Sequence, residues 1–446
     1  MALKDPRKPG YGPASMVLTP WGDASQLRER MLPPGRGTPR DEAEKNQRER
    51  LFAAMVARVA EQGYDATTVG DLVELSGVSR SAFYRHFSDK QACFIAAIES
   101  LVEPALATVS AGMESTDGPL DVEVAKQAFE SLLKAIVGQP AAAKMCFVEV
   151  YAAGPAGVAL VDRTLDSFEV LVNQLLNSVP GHDGMPPEIV RALIGGVQKV
   201  IHKRLYRGEE KELTKLAPQL WEWIFCYPPP PGPLKVSRRR TLHARPFDER
   251  QGASNPPERL LRALAAVVAE KGYPETTVAE IVERARTSQR TFYEHFANKE
   301  EAMVAALDSG SAQMLGAALP AFRRASDWQH AVHDTQEAMF SFGVGEPEYA
   351  RLGAVEMYAA GKRALEQRES VTEMMEGLLA PGYELKPDVP PITAEAIGGA
   401  LYALFYDHVK QKGAERLAEM VPAAAYVTLA PFLEAKEAYA LAVGES

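Results

Sequence analysis

One stretch of this chain occurs twice, so whatever fold it takes has to be taken twice. From Leu51 it reads LFAAMVARVAEQGYDATTVGDLVELSGVSRSAFYRHFSDKQACFIAAI, and from Leu260 it reads LLRALAAVVAEKGYPETTVAEIVERARTSQRTFYEHFANKEEAMVAAL. Gly63 and Gly272 set the register at an offset of 209 residues. At that offset Thr67, Thr68, Val69, Ser79, Phe83, Tyr84, His86, Phe87 and Lys90 recur as Thr276, Thr277, Val278, Ser288, Phe292, Tyr293, His295, Phe296 and Lys299. The likeness continues more weakly downstream. Val148-Glu149-Val150-Tyr151-Ala152-Ala153-Gly154 matches Val355-Glu356-Met357-Tyr358-Ala359-Ala360-Gly361 at an offset of 207, and Ile194-Gly195-Gly196 matches Ile397-Gly398-Gly399 at 203. The shrinking offset marks short deletions in loops, so the duplicated unit is a head plus a body.

Within one copy, Leu51, Met55, Val56 and Val59 fall at helical spacing and give a helix one apolar face. Gly63 ends it, because glycine takes positive φ cheaply. Thr68-x-x-Asp71 and, better, Thr277-x-x-Glu280 have the pattern of a capping box that opens a second helix. Gly77 turns the chain, Ser79 caps a short third helix over Arg80 to Phe87, and Phe83 and Phe87 share its inner face. Arg80, Ser81, Tyr84 and Arg85 are left outward. This is helix-turn-helix geometry, whose second helix lies in the DNA major groove. Asp89 or Ser88 caps a fourth helix. Lys90 sits in its first turn, where a cation opposes the helix dipole unless an anion such as a phosphate is near.

The pattern G-Y-x-x-T-T-V, then S-x-x-x-F-Y-x-H-F, then a lysine opening the next helix, resembles the TetR family of one-component transcriptional regulators. The resemblance covers about fifty residues of each copy. It implies an all-α fold: tandem TetR-like repeats, each a helix-turn-helix DNA-binding head plus a helical ligand-binding and dimerisation body. It implies DNA contacts from Thr68, Ser79, Arg80, Ser81, Tyr84, Arg85, His86 and Lys90 in the first head. Arg80 and Ser81 would reach base edges; Tyr84, Lys90 and the Thr68 end of helix two would hold phosphates. The second head offers Thr277, Ser288, Gln289, Arg290, Tyr293, His295 and Lys299. It departs where DNA is touched: Arg286 replaces Gly77, Gln289 replaces Arg80, and Glu294 replaces Arg85. A carboxylate there faces phosphates badly, although it can accept from a cytosine amino group.

The formal net charge of −10 is unusual for a DNA binder, but residues 1–95 carry +2 and the rest −12. A non-negative head on an acidic body suits operator binding more than indiscriminate attraction to DNA. The three cysteines, Cys93, Cys146 and Cys226, are far apart, which fits a reducing cytoplasm and argues against a disulfide frame or thiolate metal site. No run of about 18 apolar residues and no signal peptide is evident, so no membrane partner is expected.

Residues 1–44 read as a flexible basic arm, either a minor-groove reader through Arg36 and Arg40 or a solvated tail. The expected order is then a first head over 45–97, a first body over 98–227, a Pro-rich basic linker over 228–258, a second head over 259–308 and a second body over 309–446. Arg238-Arg239-Arg240 in the linker is either a second arm or solvated chain. No stretch alternates with period two, so no sheet is expected. Apolar stripes such as Phe129, Leu132, Leu133 and Ile136 are core; in TetR relatives such helices also enclose an inducer pocket. Candidate pocket residues are Phe147, Tyr151 and Phe168 in the first body and Trp328, Phe340, Met357 and Tyr358 in the second, whose methionines and aromatics suit varied apolar ligands. His330 and His333 lie one helical turn apart, but no third ligand is fixed near them by sequence, so neither metal nor cofactor is expected.

The functional expectation is a cytoplasmic, ligand-responsive repressor rather than an enzyme, since no P-loop, nucleophile elbow, zinc spacing or dinucleotide turn is present. Its partners would be a double-stranded DNA operator and a small apolar effector. The last two helices of each copy, 188–207 with 213–227 and 393–412 with 415–433, would pair within one chain, leaving a monomer that is a covalent pseudo-dimer on an asymmetric operator. The rival expectation is a protein-interaction or ligand-sensing module that kept the fold while DNA binding weakened or vanished in the second head.

Overall fold

Breaks at glycine and proline divide the chain into helices in the way the repeat requires. The computed structural model describes residues 17–32, 39–113, 122–235, 255–357, 373 and 376–445. The chain divides into two compact units, one made of Met1–Val109, Glu130–Asp162 and Arg204–Thr214, the other of Ser110–Phe129, Arg163–Lys203 and Lys215–Ser446.

In the first unit, α1 (Arg40–Ala66) buries Leu51, Met55, Val56 and Val59 as the periodicity demands and breaks at Gly63, whose φ is 80°. Then come α2 (Val69–Ser76), α3 (Arg80–His86) and α4 (Lys90–Met113). Phe83, Leu72 and Phe94 are fully buried between them. One expectation is corrected here. The described part of the 1–44 arm folds: Leu18–Thr19 pairs antiparallel with Gly22–Asp23, followed by a 3₁₀ turn at Ala24–Gln26, so a short ladder exists after all. Leu27 is 0 % exposed and Trp21 packs on Phe52 at 5.3 Å, which anchors the segment to the head. The remainder of that arm that carries Arg36 lies outside the described residues, while Arg40 starts α1. Lys90–Ala111 is long and apolar enough to cross a membrane, with mean hydropathy 1.6. Glu99 and Glu103 interrupt its apolar run, which hides it from a count of consecutive residues. Its first turns instead place Cys93, Phe94, Ala97 and Ile98 in the head's core.

Downstream come α5 (Val122–Gly138), α6 (Pro140–Phe147), a 3₁₀ turn at Glu149–Ala153, α7 (Pro155–Ser178), α8 (Pro187–Arg207) and α9 (Leu213–Phe225). The second copy repeats the order with α10 (Pro256–Lys271), α11 (Val278–Arg284), α12 (Gln289–His295), α13 (Lys299–Arg324), α14 (Trp328–Gly345) and α15 (Pro347–Ala354). It closes with α16 (Ala380–Leu385), α17 (Thr393–Lys412), a 3₁₀ stretch at Ala414–Met420, α18 (Val421–Leu429) and α19 (Ala435–Val443).

Within the second unit α8 crosses α17 through glycines. A Cβ on Gly195 would collide with Ala403 Cβ, and one on Gly399 with Lys199 Cβ. Gly196 lies beneath the Trp223 ring and 2.7 Å, measured from an added Cβ, from Ala396 O. The chain ends of the bundle are tied across: Tyr227 Oη donates to Val427 O at 2.9 Å, and Tyr426 Oη to Pro228 O at 2.6 Å. Arg191, buried on α8, reaches Asp407 on α17 at 2.8 Å through Nε and 3.3 Å through Nη2, and Asp166 at 2.8 Å. Lys203 lies 3.4 Å from Glu373, 3.7 Å from Glu376 and 3.8 Å from Glu395.

Candidate nucleic-acid interface and a cavity

The first head builds its outer face from caps inward. Thr68 accepts the Asp71 N–H and Asp71 Oδ2 takes the Thr68 N–H at 2.8 Å, a complete capping box that starts α2. Gly77 turns the chain at φ 66° and Ser79 accepts the Ala82 N–H to start α3. With Phe83 and Phe87 inward, Arg80, Ser81, Tyr84 and Arg85 stand exposed together, Tyr84 at 52 %. His86 is half-buried, 2.9 Å from Gln47 Oε1; burial first, then the Arg48 guanidinium, pushes its pKa down.

Lys90 is engaged within the head. Its Nζ donates to Tyr64 O at 2.8 Å and Asp65 O at 3.4 Å and lies 4.0 Å from the Tyr64 ring centroid. The cation therefore sits on carbonyls at the end of α1, which explains why it is tolerated against the dipole of α4. Lys299 repeats this, donating to Tyr273 O and Thr276 O at 2.8 Å.

One residue pair is not evident as a site in the sequence. Glu149, in the turn after α6, accepts the Tyr64 N–H at 3.0 Å, and Glu356 accepts the Tyr273 N–H at the same distance. Each carboxylate clamps the head where its first helix ends. The signal for it is the repeated Val-Glu-x-Tyr-Ala-Ala-Gly block.

The second head has the same frame: Thr277 and Glu280 form a full capping box, and Ser288 accepts the Thr291 N–H to start α12. Tyr293 is 57 % exposed, and Gln289, Arg290 and His295 are exposed with it. Its outer chemistry is not the same. Arg290 is paired with Glu294 at 3.0 Å, and Arg286 holds φ 51° at the turn.

The profile described as bacterial regulatory proteins, tetR family, matches residues 52–97 and 260–306. The chain belongs to the TetR family, in two tandem copies. It is accordingly an all-helical, helix-turn-helix DNA-binding protein of transcription regulation. Similar solved structures include the fatty acid degradation regulator FadR from Bacillus halodurans, with 17% identity, TM-score 0.37, and coverage of 41% of this chain and 96% of that one. FadR from Bacillus subtilis, solved in complex with stearoyl-CoA, has 15% identity and TM-score 0.32 over 39% of this chain and 96% of that one. A TetR family regulator from Marinobacter aquaeolei VT8 has 22% identity and TM-score 0.31 over the same shares. No curated protein sequence matches the chain.

This TetR-family chain also holds a cavity in its second copy, with about 360 Å³ of empty space including its open mouth. Phe322, Val332, Leu378, Leu379, Ile397 and Leu401 form its apolar wall, and Thr335, Gln336, Glu376 and Thr428 its polar side. Trp328, Phe340 and Met357 do not line it. Trp328 packs edge-on against Phe432 at 5.5 Å and donates to Leu378 O, while Met357 Sδ meets the Tyr402 hydroxyl at 3.4 Å. Sequence cannot separate aromatics that pack together from aromatics that face a void. Tyr358 lies outside the described residues. Phe147, Tyr151 and Phe168 belong to the first copy; Tyr151 is buried and the other two part-buried. Of the two histidines one turn apart, His330 Nδ1 turns to Asp327 at 2.8 Å. His333 instead clusters with Asp334 and Glu337.

Proposed function

We propose that this chain is a ligand-responsive repressor that works as a single-chain pseudo-dimer on an asymmetric operator, with the first head supplying most of the DNA affinity. The observation that carries the reading is the one-way chemistry of the α8–α17 crossing. Arg191 pairs with Asp407, yet at the offset of 203 their counterparts are Ala394 and Arg204, which cannot repeat the pair. Lys203, set against Glu376 and Glu395, has Tyr406 as its counterpart. Two first copies meeting in the same way would oppose Arg191 with Arg204. Complementary charge therefore favours a first copy with a second and disfavours like with like. Unlike recognition helices on one such body call for unlike half-sites.

Selection of bound sites from random DNA, together with light scattering, tests this. The expected site has two different half-sites and the expected particle is one chain. A perfect palindrome would break the asymmetric readout, and a stable dimer of full chains would break the intramolecular pairing. A second reading, in which the second head has given up DNA, is favoured by the Arg290–Glu294 pair, which sets a carboxylate against the exposed cation of α12. It predicts a single selected half-site. The effector is a small, largely apolar molecule held in the second-copy cavity. It acts by differing in affinity between two arrangements of the bodies, and Glu376 beside Lys203 of α8 is the contact that joins cavity to crossing.

A further inference from the structure

Three polar groups on the cavity wall keep a buried atom without a hydrogen-bond partner: Thr335 Oγ1, Gln336 Oε1 and Glu376 Oε1. Thr335 is 2 % and Gln336 4 % exposed, so neither is served by bulk solvent. Such atoms are rare in native interiors and ask for a partner.

Proton accounting says which partner. The Thr428 hydroxyl donates to Ala424 O at 2.9 Å, which spends its only proton. The contact at 2.6 Å between Gln336 and Thr428 Oγ1 must therefore be donated by the Gln336 NH₂. That fixes the amide: its oxygen is left as an unpartnered acceptor and cannot flip without losing Thr428. Glu376 presents a second acceptor whenever it is ionised. The charges around it are Lys203, Lys199, Glu373 and Glu395, so with Glu376 the group holds three carboxylates against two ammonium ions. Burial pushes the Glu376 carboxyl up, with the lysines opposing. A cation at Oε1 relieves both the missing hydrogen bond and the excess negative charge; a carboxylate ligand has no proton to give Oε1 and would add to the charge.

We propose, resting on the effector reading above, that this cavity takes a small lipophilic amine. Its alkyl body lies against Val332, Leu379, Ile397 and Leu401, and its N–H donors reach Gln336 Oε1 and Glu376 Oε1. Binding there draws Glu376 away from Lys203, which is how occupancy reaches α8.

The test uses the full chain at pH 7 with four probes of equal tail length: octylamine, octanol, octanoate and octyltrimethylammonium, the last carrying charge without an N–H. Calorimetry and thermal melting read the binding. Octylamine is expected to bind saturably, at least tenfold more tightly than octyltrimethylammonium or octanol, with octanoate weakest. Glu376→Gln is expected to erase the preference for the amine over octanol. Octanoate binding as tightly as octylamine overturns the proposal, as does octyltrimethylammonium matching it, or no saturable amine binding at all. The wild-type series decides the matter even if Glu376→Gln fails to fold. An intact asymmetric operator with no amine binding would sink this inference alone, whereas loss of DNA selection would sink the regulator reading.

Discussion

The two heads are built on one frame and differ almost wholly on the face that meets DNA. Glu149 and Glu356 hold the same backbone N–H at the same 3.0 Å. Thr67 and Thr276 return to the carbonyls of Gly63 and Gly272, both at 2.8 Å. Lys90 and Lys299 sit over Tyr64 and Tyr273 at 4.0 and 4.3 Å. Outside this frame the copies part. The first head leaves Arg80 and Arg85 exposed on α3, where the second has Gln289 and a Glu294 that occupies Arg290. The first head is also braced: Arg28 Nε donates to Glu74 O at 2.9 Å, and Asn46 Nδ2 to Arg30 O at 3.1 Å, tying the N-terminal segment under the turn. The described residues of the second head begin at Asn255 and include no such brace. Part-buried hydrogen bonds of this kind tolerate little drift because an orphaned partner costs up to about 1–3 kcal/mol. Solvent-facing side chains carry no such cost, so the DNA face is where duplicates separate.

The largest effect expected from this contrast is on DNA affinity. Arg80→Ala combined with Arg85→Ala should weaken operator binding about a hundredfold, since each good base contact contributes about 1–3 kcal/mol. The salt slope should fall by about 1 for each phosphate no longer neutralised. Gln289→Ala with Glu294→Ala should change affinity by less than about threefold. Equal losses from both heads, measured by titration at several salt concentrations, would erase the asymmetry.

The clamp should behave in the opposite way. Glu149→Ala and Glu356→Ala each remove a charged acceptor from a backbone N–H, a bond that contributes about 1.5–3 kcal/mol. The losses should agree within about 1 kcal/mol, Glu356 being the costlier because Arg351 also lies 3.7 Å from it. Urea unfolding of each variant checks this, and a clear loss in only one would mean that the frame, too, has diverged.

What sequence made legible follows the same division. Gly63, Thr68, Ser79 and Phe83 have one physical use each, and the helices they start, stop or anchor are where the pattern placed them. The crossing of α8 and α17 was half-legible: Gly195, Gly196 and Gly399 mark it, but Gly398 lines the cavity instead. The partners of Lys90 within the head were not legible because they are backbone carbonyls, which leave no trace in side-chain identity. The cavity was misplaced for a related reason. Its polar side is Thr335, Gln336 and Glu376, ordinary residues made unusual only by what surrounds them.

A smaller effect is expected at the turn between α2 and α3. Arg286 holds positive φ where Gly77 does so without penalty, and the left-handed region costs a residue with a Cβ about 1–2 kcal/mol. Arg286→Gly should therefore stabilise the second head by about 1 kcal/mol. Gly77→Ala should destabilise the first by a similar or greater amount, because its Cβ would also lie 3.1 Å from Arg28 Cγ and 3.2 Å from Met31 Sδ. Thermal melting of the paired variants tests both; a neutral Arg286→Gly would show that the turn has relaxed around its arginine.

The smallest effect is a pH dependence tied to the first head. His86 is half-buried against Gln47, with Arg48 and Arg85 as its cationic neighbours and Glu44 the opposing carboxylate. Desolvation, with Arg48 next, lowers its pKa from the usual 6.5. In the window between the folded and unfolded values the unfolded chain binds more protons, so stability rises with pH there. The contribution is complete above about 6.5 and is lost as pH falls through that value towards the folded pKa. The second head has no equivalent arrangement, because at the offset of 209 the place of Gln47 is taken by Pro256, which has no side-chain acceptor. Acidification from pH 7.5 to 5.5 should thus weaken the wild-type first head slightly. His86→Gln, which keeps a hydrogen-bonding group near Gln47 without the titration, should flatten the profile. Hydrogen exchange of α3 amides against those of α12 reads the two heads separately in one sample. If α12 loosens with acid as much as α3 does, the difference between the heads does not extend to His86.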